Sequence, residues 1–87
     1  MLDIVTIKDV KVKLGEICKQ QRKIHELSRE DLADALDVSR TTIQNFENGN
    51  NTTLDTVLKI ANHFDLLESL YKSLKDLEDA NNLNSLY

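Results

Sequence analysis

The stretch Ser28–Gly49, SREDLADALDVSRTTIQNFENG, leaves this chain few folds to choose from. It reads as two short helices joined by a tight turn. Ser28 can accept a hydrogen bond from the backbone N–H of Asp31, whose carboxylate can reach back, so Ser28-Arg29-Glu30-Asp31 has the form of a capping box. Leu32, Ala33 and Leu36 then fall on one helical face. Asp37-Val38 is the turn, with Val38 pointing inward, and Ser39 caps the second helix toward Thr42. On that helix Thr42, Ile43 and Phe46 share one side, and Arg40, Thr41, Gln44 and Asn48 share the other. Gly49 can take positive φ and end it. A short helix with an apolar back and a front of Arg, Thr, Gln and Asn is shaped to offer hydrogen bonds to something outside.

The rest of the chain fits an all-helical domain. It has 87 residues, no Pro and two Gly, so it can hold one modest core, and dimerisation would help stabilise it. One Cys excludes an intrachain disulfide framework and suits a reducing compartment. No apolar run reaches the roughly 18 residues of a bilayer span, and the start lacks a basic-then-apolar leader, so a cytoplasmic protein is expected. Net charge is −4, unevenly spread. Residues 8–23 hold Lys8, Lys11, Lys13, Lys19, Arg22 and Lys23 against Asp9 and Glu16. Residues 64–87 hold Asp65, Glu68, Asp76, Glu78 and Asp79 against Lys72 and Lys75. The local patch governs nucleic-acid binding, so the negative sum does not exclude it.

Residues 2–7, LDIVTI, read as a short strand or an ordered arm, with Thr6 and Asp9 as a second capping box. A first helix is expected over about Ile7–Lys23, with Val10, Leu14, Ile17, Cys18 and Gln21 inward. Gly15 at mid-helix suggests a close helix approach, and Cys18 a small buried hydrophobe. His25 is expected in a solvated loop, with Leu27 inward. Thr53 can cap a fourth helix with Leu54, Val57, Leu58, Ala61 and Phe64 inward and with Asn62 and His63 exposed. Asp65 and Glu68 have capping-box spacing for a fifth. Leu66 closes the core. Leu67, Leu70, Leu74 and Leu77 continue at steps of three and four, a seam that either folds back on the core or makes a homodimer contact. Residues 79–87 are Asn-rich and expected to fray. The divisions are therefore an arm or strand over 1–7, a domain over 8–70, and an extension and tail over 71–87.

The pattern Leu14-Gly15, Arg22, Ser28, Leu32-Ala33, Val38-Ser39-Arg40, Ile43, Phe46-Glu47-Asn48-Gly49, Leu54 and Leu58-Lys59-Ile60-Ala61 resembles the Cro/C1-type (XRE) helix-turn-helix family. The runs Asn45–Asn48, Asn51–Leu54 and Thr6–Val10 are most similar to HipB-like antitoxins. The resemblance implies a compact five-helix, lambda-repressor-like DNA-binding domain whose C-terminal helix is extended. It implies a repressor-type regulator that puts residues 39–48 in the major groove of a pseudo-palindromic operator as a homodimer. Ser39, Arg40, Thr41 and Gln44 occupy the base-reading positions. Gln44 could pair with adenine, Thr41 could touch a thymine methyl, and Arg40 could read guanine or hold a phosphate. Arg29, Asn48, Thr52 and Thr53 are candidate phosphate contacts. The resemblance also pairs Arg22 with Glu47. Glu26 and Asp37 stand where the family often has Gly, and Thr52 where it commonly has Pro. A HipB-like member would also hold a kinase-like toxin, and a member without DNA contacts would be a protein-interaction module. No enzyme is expected: the two His and one Cys have no metal-ligand spacing, no glycine loop or Ser/His/Asp grouping is present, and no cofactor is implied.

Overall fold

The computed structural model describes residues 4–85, with backbone alone for 83–85. Five helices follow in order: α1 (Ile7–Ile24), α2 (Arg29–Leu36), α3 (Arg40–Glu47), α4 (Leu54–His63) and α5 (Leu67–Ser85). Each of the first four starts at a hydroxyl. Thr6 and Asp9 form a reciprocal capping box, as do Ser28 and Asp31, with all four bonds at 3.0–3.1 Å. Ser39 Oγ accepts from Thr42 N at 3.1 Å, and Thr53 Oγ1 from Thr56 N at 3.2 Å. These bonds satisfy N–H groups that a helix start otherwise leaves orphaned.

The same four helices share one way of ending. After each, a residue at positive φ turns the chain: Glu26 (55°), Asp37 (57°), Gly49 (76°) and Asp65 (58°). The following N–H reaches back into the last turn, as Leu27 N to Arg22 O (2.9 Å), Val38 N to Ala33 O (3.0 Å), Asn50 N to Asn45 O (2.9 Å) and Leu66 N to Ala61 O (2.8 Å). This is the Schellman closure, which uses carbonyls left unpaired at a helix end. Leu27, Val38 and Leu66 then pack on the core, so three of the four turns plug an apolar residue into it.

The core is Cys18, Leu32, Ala33, Leu36, Ile43, Phe46, Ile60 and Phe64. α3 packs on both α1 and α2. Gly15 makes the first approach possible: a Cβ there would lie 2.5 Å from Phe46 O and 2.7 Å from Glu47 O.

Several expectations need correction. Of the two alternatives for the N-terminal segment, residues 4–6 are not a strand; residues 1–3 lie outside the described residues. α1 turns Gly15, Cys18 and Arg22 inward and leaves Val10 (48%), Leu14 (37%) and Ile17 (37%) exposed. α4 buries Thr56 and Ile60, with Phe64 buried at its C-cap, whereas Leu54 is 72% exposed. In both helices the apolar stripe lies beside the face that the core takes, because Arg22 and Thr56 carry their own partners inside. Asp65 does not cap α5 but takes positive φ after α4. Residues 79–85, expected to fray, continue α5 as helix; Leu86 and Tyr87 lie outside the described residues. α5 touches α4 at its start, where Leu67 (39%) and Leu70 (37%) are partly covered, and leaves Leu74 (57%) and Leu77 (60%) open.

Two outcomes are expected in thermal or urea unfolding. Positive φ strains Glu26 more than an Asp, so Glu26→Gly should raise stability by about 1 kcal/mol, and Asp37→Gly and Asp65→Gly by less. Gly15→Ala should lower it by about 1–3 kcal/mol, because the backbone clash outweighs the gain in helix propensity.

Candidate nucleic-acid interface

The side chains that could meet DNA stand on an eight-residue helix, too short to hold its own shape in water. Its rigidity comes from behind. Ile43, Phe46 and Glu47 are buried, while Arg40, Thr41, Asn45 and Asn48 are exposed and Gln44 is half-buried. The outward face is thus a row of hydrogen-bonding groups on an apolar base. Arg40 Nη1 donates to Gln44 Oε1 at 3.4 Å, one turn on, which keeps the two heads side by side.

Glu47 is the fixing point. Its Oε2 accepts from Arg22 Nε at 2.7 Å, and its Oε1 from Arg22 Nη2 at 3.0 Å and Arg29 Nε at 3.1 Å. Cys18 Sγ donates to Oε2 at 3.6 Å. Arg22 Nη1 also donates to Leu27 O at 2.9 Å, in the turn that ends α1. One carboxylate with no side-chain exposure therefore joins α1, α2 and α3. Burial pushes the Glu47 carboxyl up, but the hydrogen bonds and charges of Arg22 and Arg29 outweigh it and hold it below its ordinary value. Burial, and then the charge of Glu47, pushes the Cys18 thiol up to about 12, so it stays protonated. Cys18 is a structural thiol here.

The residues named from the sequence fall into three groups. Thr41, Gln44 and Arg40 stand on the outer side of α3 and its flank. Ser39, Thr52 and Thr53 come together in a cleft between α3 and α4, which Asn45, Asn51 and Thr56 also line. The hydroxyls of Ser39 and Thr53 already cap helices there. Asn48 ends α3 at the surface, and Arg29 stands at the start of α2 with Nε on Glu47. Arg22 and Glu47 meet as the resemblance implies.

Asn45 and Asn51 were not picked out from the sequence. Asn45 lies three residues from both Thr42 and Asn48, and that spacing is the signal for a shared flank. Asn51 Oδ1 accepts from Lys11 Nζ, and Gly49 O from Lys8 Nζ at 3.2 Å. Two cations of the basic first helix therefore tie down the loop after α3.

The depressed carboxyl makes acid stability a test of this network. A carboxylate whose folded value lies below its unfolded one stabilises above the unfolded value and loses that contribution as pH falls through the folded one. Glu47→Gln should flatten the acid limb of stability against pH below about 4.3, the unfolded Glu value. At neutral pH it should cost about 3–5 kcal/mol, because Arg22 is left charged and buried.

No helix among the described residues is long and apolar enough to cross a membrane. A comparison with curated proteins gave no match. A family model described as helix-turn-helix matches residues 19–71, more than half of the chain, from within α1 into the start of α5. This protein belongs to the Cro/C1-type helix-turn-helix family of DNA-binding regulators, the XRE family.

Proposed function

We propose that the protein is a sequence-specific regulator of repressor type that lays α3 in the major groove and acts as a homodimer on a pseudo-palindromic operator. The observation that carries this reading is the outer face of α3. Arg40, Thr41, Asn45 and Asn48 lie open, with Gln44 among them, on a helix held from behind by Ile43, Phe46 and Glu47. A helix of this width fits the major groove, and amide and guanidinium heads match base edges there. Ser39, Arg40, Thr41 and Gln44 read bases in this reading. Gln44 takes adenine, and the bond from Arg40 sets its angle.

Arg29, Asn48, Thr52 and Thr53 hold phosphates. Two of them sit at helix starts, where backbone N–H groups favour an anion. Arg29 brings a guanidinium whose Nε is fixed by Glu47 and whose side chain is still 27% exposed. The seam Leu67, Leu70, Leu74 and Leu77 supports the dimer: its outer leucines, Leu74 (57%) and Leu77 (60%), are more than half exposed. Two copies would place their α3 helices about 34 Å apart, one turn of the duplex.

Selection of binding sites from random duplexes, followed by gel shifts on the selected site, tests this. Gln44→Ala should reduce discrimination against a single base change by about 1–3 kcal/mol while leaving helix content unchanged. Arg29→Ala should weaken all duplexes alike and reduce the salt slope by about one unit. Absence of any duplex preference in the parent chain would overturn the proposal.

A further inference from the structure

The inner line of α1 continues past the core. Arg22, Cys18 and Gly15 are buried, and Lys11 and Lys8 extend the same line at steps of four and three residues. Gly15 lies against the last carbonyls of α3, so the earlier turns of α1 overhang the loop that follows α3. Gly49 of that loop is packed so closely on α1 that a Cβ there would lie 2.9 Å from Val12 Cγ2. Lys8 Nζ donates to Gly49 O at 3.2 Å, and Lys11 Nζ to Asn51 Oδ1.

The two lysines stand in a cleft with Ile7, Gly49, Asn50 and Asn51, so its lining carries two cations and no carboxylate. The acids of α1 are engaged elsewhere. Asp9 accepts from Thr6 N at 3.0 Å and lines a different notch, with Val5, Val10, Lys13 and Leu14. Glu16 pairs with Lys13 at 3.1 Å. An ammonium has three N–H donors, and the loop takes one from each lysine. The cleft is therefore positive and keeps donors to spare.

Asn51 connects this cleft to the duplex-facing surface. It is a wall of both: on its other side lies the cleft of Ser39, Asn45, Thr52 and Thr53. In the reading above, phosphates meet Asn48 and Thr52. A backbone that touches both passes residues 49–51, where Lys8 and Lys11 stand. The end of α3 also calls for a cation. The carbonyl end of a helix carries roughly half a negative charge, which repels a phosphate brought to Asn48. Lys8 Nζ, bound to Gly49 O just beyond that end, offsets the repulsion.

We propose that Lys8 and Lys11 hold the phosphate backbone of the duplex beside the contacts of Asn48 and Thr52, so that the first turns of α1 belong to the DNA interface. The inference rests on the duplex-binding reading above and adds a surface to it. The family match begins at residue 19, so both lysines lie outside the matched region. Their contribution is to affinity and register, and carries no base preference.

The test uses the full chain on the selected duplex, with affinity measured over a series of salt concentrations and helix content checked by circular dichroism. Lys8→Gln and Lys11→Gln should each weaken all duplexes alike and reduce the slope of log affinity against log salt by about one unit for each copy bound. Lys8→Arg and Lys11→Arg keep the charge and should keep the parental slope. Asn51→Ala removes the partner of Lys11 but not its charge, so the slope should again be parental. If the lysines only brace the loop, both Gln variants will behave as Asn51→Ala does, with the parental slope. That result would overturn this inference and leave the duplex reading standing. A parent chain with no affinity for any duplex at low salt would overturn both.

Discussion

The Glu47 carboxylate is taken out of water and given four donors in return, from Arg22, Arg29 and Cys18. An ion buried this way contributes little net stability when its partners are complete, and a great deal of instability when one is missing. Its effect is therefore on arrangement. The three donor residues come from two different helices, so α1, α2 and α3 have one relative placement in which every charge is satisfied. Among the described residues no buried side-chain polar atom lacks a partner. The eight-residue α3 inherits its orientation from that placement, and its outer amides and hydroxyls point where the network sends them. Gly15 belongs to the same arrangement, because only a residue without Cβ lets α1 come close enough to the end of α3 for Arg22 to reach Glu47.

The ends of the helices do comparable work at lower energy. Four Schellman closures return the chain toward the core, and three of them insert Leu27, Val38 or Leu66. The left-handed residues are Glu26, Asp37, Gly49 and Asp65, so only one is the type that takes positive φ without strain. Packing of the following apolar residue offsets the strain at the other three. The turn between α2 and α3 is one of these, and its geometry sets the angle between the two helices of the binding motif.

Local chemistry was largely legible in the sequence, and neighbour relations much less so. Thr6, Ser28, Ser39 and Thr53 act as caps where their spacing places them, and Gly49 takes positive φ. Each of these depends on a few consecutive residues. On α1 and α4 the expected inner residues Cys18, Val57 and Phe64 do face the core, but Val10, Leu14, Ile17, Leu54 and Leu58 do not, because periodicity reveals an apolar stripe but not which neighbour covers it. A stripe covered by a second molecule looks the same as one turned to the core. Arg22 would read as solvent-facing on composition alone; it was placed by the family resemblance. Glu26 and Asp65 carry no glycine to announce a left-handed turn, and the available signal was the Leu that follows each.

α5 has a consequence for how the molecule comes apart. From Tyr71 on, its large apolar residues Tyr71, Leu74 and Leu77 are more than half exposed, and a lone helix of its length is only marginal in water. Its amides therefore open without the rest having to melt, as a unit of low local stability. A protease would trim this helix first and leave the capped, ion-locked body of the first four helices folded. Isolated damage to the projecting rod would then silence whatever depends on it while the binding motif keeps its shape.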